Sequence, residues 1–139
     1  IRDFSTSQSD TLKILESGVG LTSSNLRGNG TGFQAADFKG GTALDANTGF
    51  LVNSGSNSSD LNIATIISEL ASGDTQNSIT ASDAFFYLTD DGTNSSLFRF
   101  SDANNNAAVD SGEVVAIAIL ENVSDATLIS ETFVTDFVI

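Results

Sequence analysis

The run Val114-Val115-Ala116-Ile117-Ala118-Ile119-Leu120 constrains this chain more than any other stretch. Its apolar residues, several of them β-branched, read as a strand. Val115, Ile117 and Ile119 would face one way, with Val114, Ala116, Ala118 and Leu120 on the other side. A strand apolar on both faces belongs in the middle of a sandwich or under a helix. Two upstream runs have the same character: residues 84–89 (AFFYLT) and residues 97–100 (LFRF), separated by an Asp90-Asp91-Gly92-Thr93-Asn94 turn. The three runs in order make a meander.

The first half is more polar. Residues 35–38 and 49–52 flank a DANTG turn at residues 45–49 and read as a hairpin, with Asp45 and Asn47 bonding the local backbone. Residues 11–15 suit a half-buried strand, because Leu12 and Ile14 alternate with Lys13. Residues 1–4 and 133–139 would supply terminal strands. The GNGTG at residues 28–32 has no evident strand before it or helix after it, so it reads as a surface turn and not a phosphate cradle. One helix is expected. Ile63, Ile66, Ile67 and Leu70 recur at three-and-four spacing, Ser59 or Asp60 can cap, and Ser72-Gly73 stops it. Its apolar face would be a lid on the sheet. The expected fold is mainly β: an antiparallel sandwich or meander with one short α-helix, in a single domain spanning residues 1–139.

The connection between the last two meander strands outlines a chemistry. Residues 102–113 (DANNNAAVDSGE) place oxygen-bearing side chains at Asp102, Asn104, Asn106, Asp110 and Glu113. Those are positions 1, 3, 5, 9 and 12 of a twelve-residue calcium loop, and Ala108 at position 7 would lend its carbonyl. Ca²⁺ takes six to eight oxygens, and i, i+2, i+4 spacing lets a tightly wound loop aim three side chains inward. Glu113 is long enough to return and bind through both oxygens. Without a cation, two carboxylates about 5 Å apart at an effective dielectric near 20 repel by roughly 3 kcal/mol. The ion would therefore order the loop. Position 6 is Ala107, where a glycine normally takes a turn at positive φ, and alanine there costs about 1–2 kcal/mol. The flanks are strands and not helices, so this is a calcium loop closing a β-hairpin. The competing reading is an Asn/Asp-rich connection that binds nothing.

Composition narrows the partners. Eighteen acidic residues against five basic give a net charge of −13. From residue 100 onward there are seven acids and no Lys or Arg. Such a surface repels phosphate backbones and anionic lipid and attracts divalent cations. No apolar run is long enough to span a membrane, and no signal peptide opens the sequence. The absence of Cys and His excludes disulfides, thiolate sites, catalytic triads and imidazole–thiolate pairs. No nucleophile motif is present either, so a non-catalytic protein is expected. The chain has no Met, and Ile1 opens in mid-strand, as in a fragment or processed product of something longer.

The ends add a resemblance. Ile1-Arg2-Asp3-Phe4, then Asp10-Thr11-Leu12-Lys13-Ile14, is similar to the segment that follows the glycine-rich repeats of RTX proteins. Asp136, Phe137, Val138 and Ile139 resemble the acidic-plus-hydrophobic terminus of type I secretion substrates. The intervening DANTGFLVNSG and YLTDDGTNSSLFRFSDANNNAAVDSGE stretches resemble C-terminal target domains of bacterial RTX-type exoproteins. The resemblance implies one-step export by the type I secretion machinery, an uncleaved C-terminal signal at Asp136–Ile139, and folding on extracellular calcium. The family's GGxGxDxxx nonapeptides are absent, so calcium dependence rests on residues 102–113. Two other functions compete. One is a filament, surface-layer or adhesin matrix subunit, polymerising with itself by strand addition through residues 1–4 and 133–139. The other is a carbohydrate-binding module, for which one Tyr and no Trp leave little stacking surface.

Overall fold

The computed structural model describes Ile1, Leu26, Arg27 and residues 32–127. The strands expected at residues 2–4, 11–15 and 133–139, and all but the end of the GNGTG turn, lie outside the described residues.

The described chain is mainly β. Five strands form one open sheet in the order β1 (Gly32–Ala36), β2 (Thr48–Asn53), β3 (Ala84–Asp90), β4 (Ser95–Ser101) and β5 (Val114–Leu120). The meander is as expected: β3, β4 and β5 pair antiparallel, with Phe85 opposite Phe100 and Phe100 opposite Val114. The first half departs from expectation. β2 contains the anticipated 49–52 run, whereas β1 shares only Ala35 and Ala36 with the anticipated 35–38 run; the two pair parallel, and β2 also pairs parallel with β3, so the sheet is mixed. The reason lies in the connection at residues 37–47. Phe38 and Leu44 within it are buried among Leu51, Tyr87 and Ile66, so the segment crosses one sheet face before β2 begins. A parallel return needs such a crossover, whereas a hairpin needs only a tight turn.

Among the described residues no second sheet packs on the first; other elements cover its two faces. On one face Leu51, Phe85, Tyr87, Phe98, Phe100 and Val114 meet Phe38, Leu44, Ile79 and helix α1 (Ile63–Leu70). Phe38 stands edge-on to Tyr87, with ring centroids 6.1 Å apart. On the other face Phe50, Val52, Phe86, Leu88, Leu97 and Leu120 meet Leu26, Val123 and Ala126. The lid expected of α1 is present: Ile66 and Leu70 are buried, while Ile63 remains 42% exposed. Its cap is Asn62 and not Ser59 or Asp60, with Asn62 Oδ1 accepting from Thr65 N–H at 3.0 Å. Asp60 sits just before, where its carboxylate accepts from Asn62 N–H.

β5 ends the strand order instead of sitting mid-sandwich. It does contact α1. A register shift between β4 residues Leu97 and Phe98 breaks the single alternation expected of β5: Val114 joins the core beneath α1 and Leu120 the core on the opposite face, while Val115 and Ile119 stay 37% and 49% exposed. Backbone groups of Ile1 meet its edge: the amino group donates to Ile119 O at 2.7 Å, and Glu121 N–H donates to Ile1 O at 2.9 Å.

A second helix, α2 (Gly73–Asn77), was not expected, because Gly73 reads as a helix stop. Gly73 instead starts it. A Cβ on either Gly41 or Gly73 would lie 3.0 Å from the other's Cα, so the two glycines allow the 37–47 connection to touch α2 backbone to backbone. Thr75 completes the contact by donating to Thr42 O at 2.7 Å.

Candidate metal centre

Residues 102–113 join β4 to β5. The loop is closed at its base by Ser101 N–H donating to Glu113 O at 3.0 Å. Asp102 and Glu113, the first and last expected ligands, are only 4% and 6% exposed. Burial of two carboxylates at one loop base requires hydrogen-bond donors for both, and the loop backbone supplies them.

Asp102 points back under the turn that follows it. Its Oδ1 accepts from Asn106 N–H at 3.2 Å, and its Oδ2 accepts from Ala107 N–H at 3.0 Å. Asn104 and Asn106 repeat the motif at two-residue spacing: Asn104 Oδ1 accepts from Asn106 N–H, and Asn106 Oδ1 from Ala108 N–H. Such local side-chain bonds favour turns over strand. The two carboxamide NH₂ groups donate to Asp110 Oδ2 at 3.0 and 2.6 Å. Those two donors, Asn104 before Asn106, hold the Asp110 carboxyl below the ordinary aspartate range.

Glu113 folds back as its length suggests. Oε1 accepts from Ala103 N–H at 3.0 Å and Asn104 N–H at 3.4 Å, and Oε2 accepts from Asp110 N–H at 3.1 Å. One carboxylate thus spans the start and the end of the loop. Asp102, Asn104, Asn106, Asp110 and Glu113 are joined by this network, with Ala108 at its centre in sequence. Among the described residues no group of three acidic side chains stands close enough together to hold a metal ion. Asp136, Phe137, Val138 and Ile139 lie outside the described residues.

The turn has the conformation that such a loop demands. Ala107 at position 6 has φ +59°, and Asn105 has φ +60°. Asparagine tolerates this region; alanine pays about 1–2 kcal/mol for it.

Three contacts from outside the loop had no sequence signal. Gln76 on α2 donates from Nε2 to Ala107 O at 3.0 Å and accepts Val109 N–H on Oε1 at 3.2 Å. Ser82, itself at φ +69°, donates its N–H to Asp102 Oδ2 at 3.1 Å and its hydroxyl to Asn105 Oδ1. Asp102 N–H donates to Asp83 O at 2.8 Å. Asp83 also receives the Arg27 guanidinium, which donates further to Ser78 O and Asp45 O. A turn prediction reads neighbours in sequence, and these partners lie far from it.

A further buried acid, Glu69, lies on the helix side of the sheet. Glu69 of α1 accepts from Ser58 Oγ at 2.9 Å and from Tyr87 OH at 3.4 Å, while its Oε1 has no hydrogen-bond partner. Burial raises the Glu69 carboxyl above its usual range, and burial likewise raises the Tyr87 phenol.

No helix among the described residues is long and apolar enough to cross a membrane. Comparisons with protein-family models, with curated proteins and with solved structures gave no match.

Proposed function

We propose that this chain is a non-catalytic, calcium-binding extracellular module: the C-terminal part of a type I secreted, RTX-type bacterial protein that folds on calcium outside the cell. The observation that carries the reading is the left-handed turn at Ala107 inside a loop whose donors recur at calcium-loop spacing. A connection that only had to join two strands would gain nothing from a strained alanine at position 6. The donor set also fits a hard cation, being all oxygen and including three carboxylates.

Asp102, Asn104, Asn106, Asp110 and Glu113 would hold the ion through side-chain oxygens, and Ala108 through its carbonyl. The ion would supply positive charge to three acids in a chain of net charge −13. The protein's own part is to keep Asp102 and Glu113 together at the loop base and to turn the chain at Ala107. An affinity in the range of extracellular modules, Kd about 10⁻⁴–10⁻³ M, leaves the loop unliganded in the cytosol. Outside, calcium at 100 times Kd adds about 2.7 kcal/mol to folding. The chain would stay export-competent inside and become locked outside, with Asp136 to Ile139 as the export signal. Thermal melts in calcium and in chelator test this: the midpoint rises with calcium concentration if the reading is right, and an unchanged midpoint removes the metal.

One observation favours a second reading, a self-assembling filament, surface-layer or adhesin subunit. Ile1 bonds both Ile119 O and Glu121 N–H, the pattern of a residue paired parallel with Leu120. β5 carries no charge along Val114–Leu120, and uncharged edges favour strand addition. Light scattering in calcium separates the readings: a strict monomer sinks the filament.

A further inference from the structure

Resting on the calcium reading, we infer that Gln76 is a positioning residue for the loop, and that the segment from α2 to β3 is a built-in clamp that shapes residues 102–113 for the ion. Loops of this type are expected between two helices, and here strands flank it. Strand ends alone fix only the base, through Ser101 and Glu113. The tip must be held by something else.

Gln76 does this with one flat group. Its carboxamide bonds Ala107 O and Val109 N–H, the two backbone groups on either side of Ala108. It therefore fixes positions 6 and 8 and touches neither the carbonyl at position 7 nor any side chain of the donor set. Val109 is 6% exposed and packs in the same core as Ile79 and Phe100, so the fixed point is anchored in the body of the protein. Ser82 holds positions 1 and 4 from the same segment, through Asp102 Oδ2 and Asn105 Oδ1. α2 is itself pinned by the Gly41–Gly73 contact and Thr75. Two hydrogen bonds at position 6 offset part of the strain that Ala107 carries at positive φ. A five-residue helix earns its place in the fold by presenting this side chain.

The test compares the full chain with Gln76→Leu and with Ile66→Val, a conservative core variant on α1 that lowers stability and removes no hydrogen bond to the loop. Calcium alone is titrated by calorimetry, and amide exchange is followed at Val109 with and without calcium. Gln76→Leu should raise the calcium Kd about tenfold, and should speed Val109 exchange even in chelator; Ile66→Val should lower the melting point and leave Kd unchanged. Equal Kd in wild type and Gln76→Leu overturns the positioning role, as does unchanged Val109 exchange. Were wild type to bind no calcium, the metal reading alone would fall, and Val109 exchange in chelator would still decide whether Gln76 clamps the loop.

Discussion

Two connections in the same meander are rich in Asp and Asn, and they are built differently. The β3–β4 turn is shaped by its own residues: Asp91 Oδ1 accepts from Thr93 N–H and Asn94 N–H, Asp91 N–H donates to Asn94 O, and its positive-φ residue is Gly92, while outside contacts reach it through Asn122 N–H on Asn94 Oδ1 and Ala126 N–H on Asp90 Oδ2. The β4–β5 loop spreads its acids over twelve residues, forces alanine into the same backbone region, and needs Gln76 and Ser82 from outside. The first uses its polar residues to make a turn. The second carries three carboxylates and places an alanine at positive φ, features that the proposed calcium reading accounts for together.

The comparison breaks first at the acids. Glu113→Gln should weaken calcium binding by roughly 100-fold and lower stability by about 1–3 kcal/mol, since a buried carboxylate with three N–H donors is lost. Asp91→Ala should cost only about 0.5–1.5 kcal/mol and leave the calcium response intact. Titration calorimetry and denaturant melts on both variants check this. Next come the left-handed positions, where the two regions should answer with opposite sign. Ala107→Gly should stabilise by about 1 kcal/mol and tighten calcium binding, while Gly92→Ala should destabilise by about 1 kcal/mol, read from denaturant midpoints.

The smallest effect concerns pH. Burial raises the Glu69 pKa in the folded chain, so its contribution to stability is full below the unfolded value near 4.5 and is lost as pH rises through the folded value. Stability should therefore grow on mild acidification, and Glu69→Gln should abolish that slope in denaturant melts at stepped pH. Asp110 acts in the opposite sense: its lowered pKa contributes stability above about 3.8, lost as pH falls through the folded value.

Much of this was readable from local pattern. Continuous β-branched and aromatic runs located β3, β4 and β5, and the Ile63, Ile66, Ile67, Leu70 spacing located α1. The loop's left-handed position and the return of Glu113 followed from residue spacing. Strand direction did not: alternation marks a strand without saying which way it runs, and burial of Phe38 and Leu44 decided it. α2 escaped because a five-residue helix has no periodicity to display. Gln76 and Ser82 escaped because tertiary contacts bring them to the loop. Glu69 was passed over because its burial depends on the sheet beneath α1.

The most direct test is a residue-resolved calcium titration of the chain by NMR. Amide signals of residues 103–113 should shift together, saturating at millimolar calcium, with Val109 and Gln76 among the responders and residues 91–94 unmoved. Signals of residues 103–113 that stay in place through that range, or that move no more than those of residues 91–94, would contradict a calcium site in this loop.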